Sequence, residues 1–579
     1  MKYILCRAFL ISVFTLCLAG TAAAQQVRSY TFFEGTQYPL RVTWVFGDEP
    51  GPTIMVQGGI QGDELSGFFT AQLLTRCNLR KGNLIIVPRA NEPSILRRTR
   101  QINVDLNRRF DKEYNSFYED RLAKAIRFLI ADADGFIHLH EGSGFYNPKY
   151  VSSLRNPNRY GQSVIIDAAV YKNIKLAEMS GRTIKRLNTR ILNKNYWFTL
   201  FNTDTFATAT HYPEMLKSLT CYALVEQGIP AMAIEVSKDI KDLEWKVRQQ
   251  LRATVYLLEE FGLELDVPEF SFPKSGRPKG LEIVINGSPL KGRSVELVRG
   301  APVSTFGSGK AVMNSELEPA VAVFASDRPN LNLLTAPRMA LSSFPALEVR
   351  LDGSKMATAK VRWKGSRVNL PEPHGPVFLC WLNGHPQFVS VSGTLEAVEG
   401  DQFILEGVLG SSIEEILNLK GFVASVTVNK GQDVGHEIIA DPSNFMDKYK
   451  LKSADGVSLY RIVRETPGKS RSEFYLSIVP RQIKALELIR EQGEGSFINW
   501  SNGSVRELAA DRYVLKDAWT NGDLAKIQPF VDNIPISWGE SFDVKAGKNT
   551  VLTMRHATTF DPLGQMTFIG KDYLHSSFQ

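Results

Sequence analysis

The sequence predicts an α/β domain followed by a series of all-β modules, and three observations support this. Between about Val42 and Phe261, short apolar runs alternate with amphipathic stretches of helical period. After Phe261 the chain is rich in Val, Ile, Thr and aromatic residues, with frequent turns that are typical of β-sandwiches. These two regions are separated by LDVPEFSFPKSGRPKG, a linker-like stretch of proline, glycine and charged residues.

In the first part, four apolar runs that end in polar residues predict strands: IMVQGG, NLIIVPRAN, DGFIHLHEG and IPAMAIEVS. Four stretches with apolar residues at helical spacing predict helices: LSGFFTAQLLTR, FYEDRLAKAIRFLIAD, YPEMLKSLTCYALVEQG and LEWKVRQQLRATVYLLEEFG. This alternation favours a mostly parallel or mixed sheet with helices on both faces. In such open sheets the ligand site lies beyond the carboxyl ends of the strands.

The β-rich part divides less clearly, because no repeat of fixed period is evident. Soft boundaries near Lys360 and Ser453 are expected, and RQIKALELIREQ near Gln482 predicts a helix. The expected organisation is a signal peptide (1–24), the α/β domain (25–265), a β-rich domain (266–360), a β-sandwich (361–452) and a further β-rich region (453–579).

The start of the chain predicts export. Residues 1–24 combine a basic start, an apolar run and an Ala-x-Ala end, which is typical of a cleaved secretory signal. The run is interrupted by Arg7 and is short for a membrane span, and neither Cys6 nor Cys17 lies in a lipoprotein pattern. Since no later window is apolar enough to span a membrane, the mature product should have no membrane-spanning segment.

Composition excludes two further classes. The formal net charge of +7 falls to +5 without Lys2 and Arg7, which is too small for a nucleic-acid-binding protein. Beyond residue 24 only Cys77, Cys221 and Cys380 remain, so disulfides do not hold the fold together.

Candidate chemistry begins with two histidines in one predicted strand. His138 and His140 alternate within IHLHEG, so the period of two puts both side chains on one face, followed by the Glu141-Gly-Ser-Gly loop. A lone histidine there is more often a packed structural residue, but the pair favours a functional site.

A second candidate is QGGIQGDELSG, where Gln61 and Glu64 lie three residues apart at the start of a predicted helix. This spacing points two side chains at one place, and a catalytic zinc needs three protein ligands and one open position. Gln61, Glu64 and His140 could provide them. Taken alone, Gln-x-x-Glu is more often a solvated helix start.

A third candidate is the arginine-rich stretch RRTRQINVDLNRRF, which could supply positive charge to a site. Clustered arginines usually form a solvated basic face, but here Asn107 and Arg108 follow Leu106 and Asp105 directly. A guanidinium grips a carboxylate through two hydrogen bonds, and the neighbouring amide can add a third. This arrangement would suit a substrate with a free terminal carboxylate.

Glu235, in PAMAIEVSKD, is an acidic residue after an apolar run. It is either an ion-paired strand end or a residue that faces a site. Beside a metal-activated water it would act as the general base and later pass the proton to the leaving amine.

These clusters, in this order, resemble the zinc metallocarboxypeptidase superfamily, in which H-x-x-E and a later histidine hold zinc. The presence of Gln61 resembles the branch of D,L-carboxypeptidases that trim peptidoglycan and determine cell shape, which use a Gln-Glu-His set and carry β-sandwich and immunoglobulin-like modules. The resemblance covers about residues 28–451, with specific motifs only up to Glu235.

The resemblance implies a zinc carboxypeptidase-like α/β fold, a periplasmic location, and removal of meso-diaminopimelate from muramyl tripeptide stems. It implies zinc ligands Gln61, Glu64 and His140 and the base Glu235. It also implies four substrate-side residues, namely Arg100, Asn107, Arg108 and His138. Arg97 competes with Arg100 for the carboxylate.

Gln61 should weaken zinc binding without changing the formal charge of the site, and Asp63 is a candidate for orienting the ligands. Two other functions stay open at this stage. One is a small-molecule deacylase of the aspartoacylase type, against which the predicted export counts. The other is a non-catalytic peptidoglycan-binding scaffold, for which Glu235 would have no chemical use. The β-rich modules could also dock cell-wall proteins.

Overall fold

The computed structural model describes most of the chain beyond residue 24. The described residues are 25–271, 282–285, 288–290, 292–298, 302–303, 305–308, 319–334, 338–339, 344–365, 375–411, 415–423, 431–491 and 495–572. The predicted signal peptide lies outside them, as does part of the predicted linker. In the described ranges, no helix combines the length and apolarity needed to cross a membrane.

Residues 25–271 form the predicted mixed α/β domain. Its strands are β1 (Val27–Phe32), β2 (Leu40–Phe46), β3 (Glu49–Gln57), β4 (Asn78–Val87), β5 (Gly135–Gly142), β6 (Phe145–Tyr146), β7 (Arg155–Asn156), β8 (Ser163–Ile166), β9 (Thr199–Asn202), β10 (Ala231–Ser237) and β11 (Glu264–Asp266). Its α-helices are α1 (Leu65–Leu74), α2 (Glu92–Arg97), α3 (Tyr118–Ile130), α4 (Leu176–Asn188), α5 (Leu219–Val225) and α6 (Leu243–Glu260). Short 3₁₀ helices cover Leu106–Arg108, Lys194–Tyr196 and Pro213–Lys217.

The sheet order in this range is β1-β2-β4-β3-β5-β10-β8-β9, with β11 added to β4. The central strands β4, β3, β5 and β10 are parallel, so their carboxyl ends meet at one edge. These four are the four predicted strands, and each is almost fully buried along its second half.

Helices cover both faces of the sheet. Gly67 of α1 packs against Leu139, whereas Thr220 of α5 shares a cavity wall with His138, whose side chain leaves β5 on the opposite face. Three of the predicted helices form as α1, α3 and α6. The fourth is divided, because the Ser218 hydroxyl accepts from Cys221 N and starts α5 after a separate 3₁₀ turn.

The β-rich part forms layered sheets around three further apolar clusters. The first group of strands comprises β12 (Glu282–Ile285), β13 (Ser288–Pro289), β14 (Ser294–Val298), β15 (Pro302–Val303), β16 (Thr305–Ser308), β17 (Val321–Ala325), β18 (Arg328–Asn332), β19 (Arg338–Met339), β20 (Ala346–Leu351) and β21 (Ser354–Lys364). The second comprises β22 (Val377–Leu382), β23 (His385–Ser390), β24 (Thr394–Val398), β25 (Gln402–Val408), β26 (Leu417–Leu419), β27 (Glu437–Ile439), β28 (Lys452–Ala454), β29 (Val457–Arg464) and β30 (Ser472–Val479). The third comprises β31 (Ile483–Arg490), β32 (Gly495–Asn499), β33 (Ser504–Ala509), β34 (Asp511–Thr520), β35 (Ile527–Val531), β36 (Ile534–Pro535), β37 (Ser541–Val544), β38 (Asn549–His556) and β39 (Pro562–Lys571).

The second and third groups are β-sandwiches, since each apolar cluster takes side chains from two sheets. Strand β24 pairs with β30, so the second sandwich runs across the boundary expected near Ser453. The boundary expected near Lys360 falls inside β21. We therefore propose domain limits between β21 and β22 and between β30 and β31.

The helix predicted near Gln482 is wrong. Residues 483–490 form β31, which pairs with both β32 and β34. Leu486 and Leu488 point into the sandwich while Glu487 between them points outward, so the local period is two.

The last sandwich also contributes to the core of the first domain. Phe530 and Phe560 are buried, and both rings lie within about 6 Å, centroid to centroid, of the Phe32 and Phe128 rings of the α/β domain. Lys124 on α3 forms an ion pair with Asp561 at the edge of this contact. The first domain and the end of the chain therefore share one apolar core.

Candidate active site

The carboxyl edge of the sheet holds a cavity of about 320 Å³. Its walls include eight of the residues singled out from the sequence: Gln61, Glu64, Arg100, Asn107, Arg108, His138, His140 and Glu235. Arg97 is not among the lining residues, so of the two competing arginines only Arg100 reaches the cavity.

The loop after β3 positions Gln61 and Glu64. Gly62 lies so close to the Ser94 backbone of α2 that no Cβ would fit there, which holds the loop against the helix. Glu64 then precedes the first turn of α1, and both side chains are buried.

Glu64 meets His140 directly. The Nδ1 atom of His140 lies 2.9 Å from the Glu64 Oε2 atom, which also accepts from the backbone N–H of Glu141 at 3.1 Å. Burial opposes the charged imidazole, but the Glu64 carboxylate outweighs it and raises the pKa of His140. The strand-end histidine and the helix-start glutamate are thus in direct contact.

The Gln61 amide is oriented by Asp105. Its Nε2 group donates to both carboxylate oxygens of Asp105, at 3.1 and 3.3 Å. No described residue hydrogen-bonds to the Gln61 Oε1 atom, so the oxygen is the end of the amide that can face a cation. Asp105 in turn accepts from Arg100 at 2.8 and 3.1 Å. Burial opposes ionisation, but Arg100 and the Gln61 hydrogen bond lower the pKa of Asp105.

Asp63, the residue expected to orient the ligands, bonds to a lysine. Its Oδ2 atom accepts from Lys238 Nζ at 2.7 Å, and Lys238 Nζ lies 3.6 Å from Glu64 Oε1. The Gln61 amide is instead hydrogen-bonded by Asp105, which the sequence did not single out for this role.

Asn107 and Arg108 lie on a 3₁₀ turn that the Asp105 side chain caps through Asn107 N at 3.0 Å. The Asn107 Oδ1 atom accepts from Leu219 N, which ties the turn to the start of α5 and turns the Asn107 amide nitrogen away from that contact. Arg108 donates to the Asn107 carbonyl and approaches the Met215 sulfur. Both side chains thus lie at one end of the cavity.

His138 and Glu235 complete the floor. His138 is fully buried, contacts the Gln57 amide at 3.3 Å, and has its pKa held well below 6.5 by burial and by neighbouring His140, so it is neutral. Glu235 pairs in register with His140 on the adjacent strand. Its Oε2 atom is buried without a hydrogen-bond partner, and burial together with the Glu64 carboxylate raises the pKa of Glu235 to about 8.

Residues 29–275 match the family model described as "Carboxypeptidase controlling helical cell shape catalytic". This region belongs to that family. It is therefore a metallocarboxypeptidase domain, and the cavity at its sheet edge is its candidate active site. A search of curated proteins found no match.

Several solved structures are similar to the chain. Apo Cell Shape Determinant protein Csd4 from Helicobacter pylori is 22% identical over 79% of this chain and 100% of its own, with a TM-score of 0.42. The mDAP-bound form of Csd4, described as a D,L-carboxypeptidase, is 23% identical over 74% and 97%, with a TM-score of 0.41. A succinylglutamatedesuccinylase/aspartoacylase from Rhodobacter sphaeroides is 17% identical over 58% and 96%, with a TM-score of 0.28.

Behind the candidate active site of the carboxypeptidase domain lies a buried ion pair that the sequence did not reveal. Glu141 accepts from Ser66 N at 2.7 Å and from Lys246 Nζ at 2.8 Å. It links the start of α1 to α6 directly behind His140 and Glu64, and so fixes the helix end that carries Glu64.

The sequence also missed several lining residues, namely Ile165, Phe201, Thr203, Tyr212, Met215, Thr220, Ala233 and Lys238. Most come from the region between β7 and α5, which has no long periodic pattern. Lys238 could have been found, because it follows Glu235 by three residues at the end of the same strand.

Proposed function

We propose that the protein is an exported, zinc-dependent D,L-carboxypeptidase that removes the terminal meso-diaminopimelate from peptidoglycan tripeptide stems and leaves the dipeptide. The description of the matched family, which names a carboxypeptidase controlling helical cell shape, supports a cell-wall peptide as substrate. The charged side chains that line the cavity, Arg100, Arg108 and Lys238 among them, support hydrolysis of a small, charged peptide end.

The donor atoms of the site fit a divalent metal. Among the described residues no three His, Cys, Asp or Glu side chains are grouped to hold a metal ion. Of the three proposed ligands, only Glu64 and His140 belong to those residue types. Gln61 supplies the third donor, because Asp105 holds its amide nitrogen and leaves its oxygen for a cation. Gln61, Glu64 and His140 would hold zinc, which when bound supplies Lewis-acid chemistry to the scissile carbonyl and the attacking water.

Asn107 and Arg108 would bind the terminal carboxylate of the leaving residue. Arg108 lies on the cavity wall, and its guanidinium can form two hydrogen bonds to a carboxylate while the Asn107 amide adds a third. Arg100 reaches the cavity beside Glu64 but is bound to Asp105, so its first role is to stabilise the Asp105 charge. Neutral His138 fills the floor without adding charge.

Glu235 would move the proton. Its unpartnered Oε2 atom is buried in the active site next to His140, where it can accept a proton from the attacking water and later give it to the leaving amine. A cation held by the three ligands would lower the raised pKa of Glu235 and so favour its basic form at neutral pH.

The unpartnered Glu235 carboxylate beside the Glu64 and His140 pair is the observation that carries the proposal. It is tested by digesting purified peptidoglycan fragments and following tripeptide and dipeptide stems by mass spectrometry. Wild-type protein should convert tripeptide to dipeptide, and Glu235→Gln should lower the rate by at least ~10²-fold while still binding tripeptide. Glu226→Gln, on the exposed end of α5, is the matched control and should behave as wild type.

Three outcomes would contradict the proposal. Full activity of Glu235→Gln would show that Glu235 is not the general base. Absence of turnover by metal-loaded wild type on any stem, with tight tripeptide binding retained, would instead support a scaffold. Faster turnover of a short acyl amino acid than of muramyl tripeptide would support a deacylase.

The proposed location is the periplasm, where tripeptide stems are exposed to an exported enzyme. The β-rich modules would then face the cell wall, and their edge strands offer backbone groups to wall-associated partners.

A further inference from the structure

Lys238 is a cation in the cavity wall for which the proposed reaction has no use. Three described cationic side chains line the cavity: Arg100, Arg108 and Lys238. Arg100 is bound to Asp105, and Arg108 is assigned to the terminal carboxylate. Lys238 remains, one residue beyond β10 and three beyond Glu235.

Lys238 and Arg108 are held by different elements. The backbone N–H of Lys238 donates to the Gly142 carbonyl at 2.7 Å, so it lies where β5 and β10 end together. Its Nζ atom lies 3.6 Å from Glu64 Oε1. Arg108, by contrast, contacts Met215 of the 3₁₀ helix Pro213–Lys217. The proposed metal ligand Glu64 thus neighbours Lys238, on the side of the cavity formed by the loop after β5.

The ammonium group is held but remains accessible. The Lys238 side chain is 33% exposed, and its partner Asp63 is 35% exposed. A lysine side chain is ordinarily cationic at neutral pH, and the Lys238 Nζ atom lies 2.7 Å from Asp63 Oδ2. A partly exposed ion pair is weak enough for an arriving carboxylate to share the ammonium.

The proposed substrate has a matching group. In a γ-linked glutamyl residue the scissile carbonyl belongs to the side chain, and the α-carboxylate stays free. Four C–C bonds of ~1.5 Å separate the two carbons, so they lie at most roughly 5 Å apart. Since the scissile carbonyl would lie at the proposed metal ligands, that carboxylate comes within reach of Lys238, which neighbours Glu64.

We propose that Lys238 is a specificity-determining residue that binds the free α-carboxylate of the γ-linked residue preceding the scissile bond. Asp63 positions the ammonium for this contact. The enzyme then prefers stems with the free carboxylate over stems in which it is amidated. This inference rests on the proposed function, and it adds the group that is recognised on the non-leaving side.

The test compares two substrates, L-Ala-γ-D-Glu-meso-diaminopimelate and its α-amide, by kcat/KM for release of diaminopimelate. Wild type should prefer the free acid by about fivefold to tenfold, as expected for a partly exposed charged contact. Lys238→Met should reduce this ratio to about one. Lys241→Met, an exposed lysine on the same loop, should keep the wild-type ratio.

The metal content of each variant is measured in parallel, and binding of both tripeptides is measured by calorimetry in a Glu235→Gln background. An equal ratio in wild type and Lys238→Met would overturn the proposal. Loss of metal from Lys238→Met would also overturn it, by assigning Lys238 to holding Glu64. If wild type releases no diaminopimelate from either tripeptide, the proposed function fails. Calorimetry with the two tripeptides would still show whether Lys238 binds the α-carboxylate.

Discussion

Replacing Asp105 with asparagine should weaken metal binding although Asp105 is not itself a proposed ligand. The Asp105 carboxylate accepts two hydrogen bonds from the Gln61 amide nitrogen, at 3.1 and 3.3 Å. It thereby decides which end of that amide faces the cavity. Asparagine keeps the shape but removes the charge, and it adds an N–H₂ group that can turn the Gln61 amide around.

The size of the effect follows from the role of groups that orient metal ligands. Their loss typically lowers metal affinity ~10- to 100-fold, or ~1.4 to 2.7 kcal/mol. We expect about tenfold for Asp105→Asn, because the remaining amide oxygen can still accept one hydrogen bond. The affinity is measured by competition with a chromophoric zinc chelator, so the result does not depend on catalysis.

Asp111→Asn is the matched control, since Asp111 is exposed and bonds only to Tyr114 nearby. Urea unfolding of each apo variant separates loss of the 3₁₀-turn cap, worth about 1 kcal/mol, from loss of metal. A zinc affinity of Asp105→Asn within twofold of wild type would refute the orientation argument.

Three further predictions concern other parts of the molecule. Gly142→Ala should lower kcat at least tenfold, because its new Cβ would collide with the Glu235 carboxylate and lie 2.6 Å from the Gly161 Cα atom. Burial and nearby Arg481 lower the pKa of His556 to about 4. The histidine of the unfolded state has a pKa near 6.5, so between pH 6.5 and pH 4 the unfolded state binds a proton that the folded state does not, and the free energy of unfolding falls as the pH is lowered. His556→Gln should remove about 3 kcal/mol of that fall, measured by urea titration at each pH. Phe560→Ala should lower the free energy of unfolding by ~3–5 kcal/mol, because it leaves a cavity between four aromatic rings.

The controls use the same changes at open positions. Gly181→Ala meets nothing within 4 Å and should leave kcat unchanged. Phe497→Ala, at a side chain that is 72% exposed, should change stability by less than ~0.5 kcal/mol. Equal effects at Gly142 and Gly181, or at Phe560 and Phe497, would contradict the packing arguments. An unchanged pH dependence in His556→Gln would contradict the burial argument.

The α/β fold and the convergence of Gln61, Glu64 and His140 could be predicted because both depend on local pattern. Buried parallel strands read as apolar runs, and a polar residue at the end of such a run must reach the carboxyl edge of the sheet. The orientation of the Gln61 amide could not be predicted, because it depends on a contact 44 residues away.

The domain boundaries of the β-rich part could not be predicted either, because they also depend on contacts between distant parts of the chain. Strand β24 pairs in parallel with β30 across five intervening strands, and nothing in the local sequence of either strand indicates this. The stretch at β31 carries good helix formers, yet pairing on both sides forces it into a strand.

The aromatic contact of Phe530 and Phe560 with Phe32 and Phe128 has a consequence for how the polypeptide matures. Synthesis on the ribosome begins at the N-terminus, so the apolar surface of the first domain stays uncovered until Phe530 and Phe560 have been made. A chain that ends anywhere before Phe530 should therefore be an aggregation-prone fragment and not a smaller enzyme. The catalytic domain becomes well packed only when synthesis is complete.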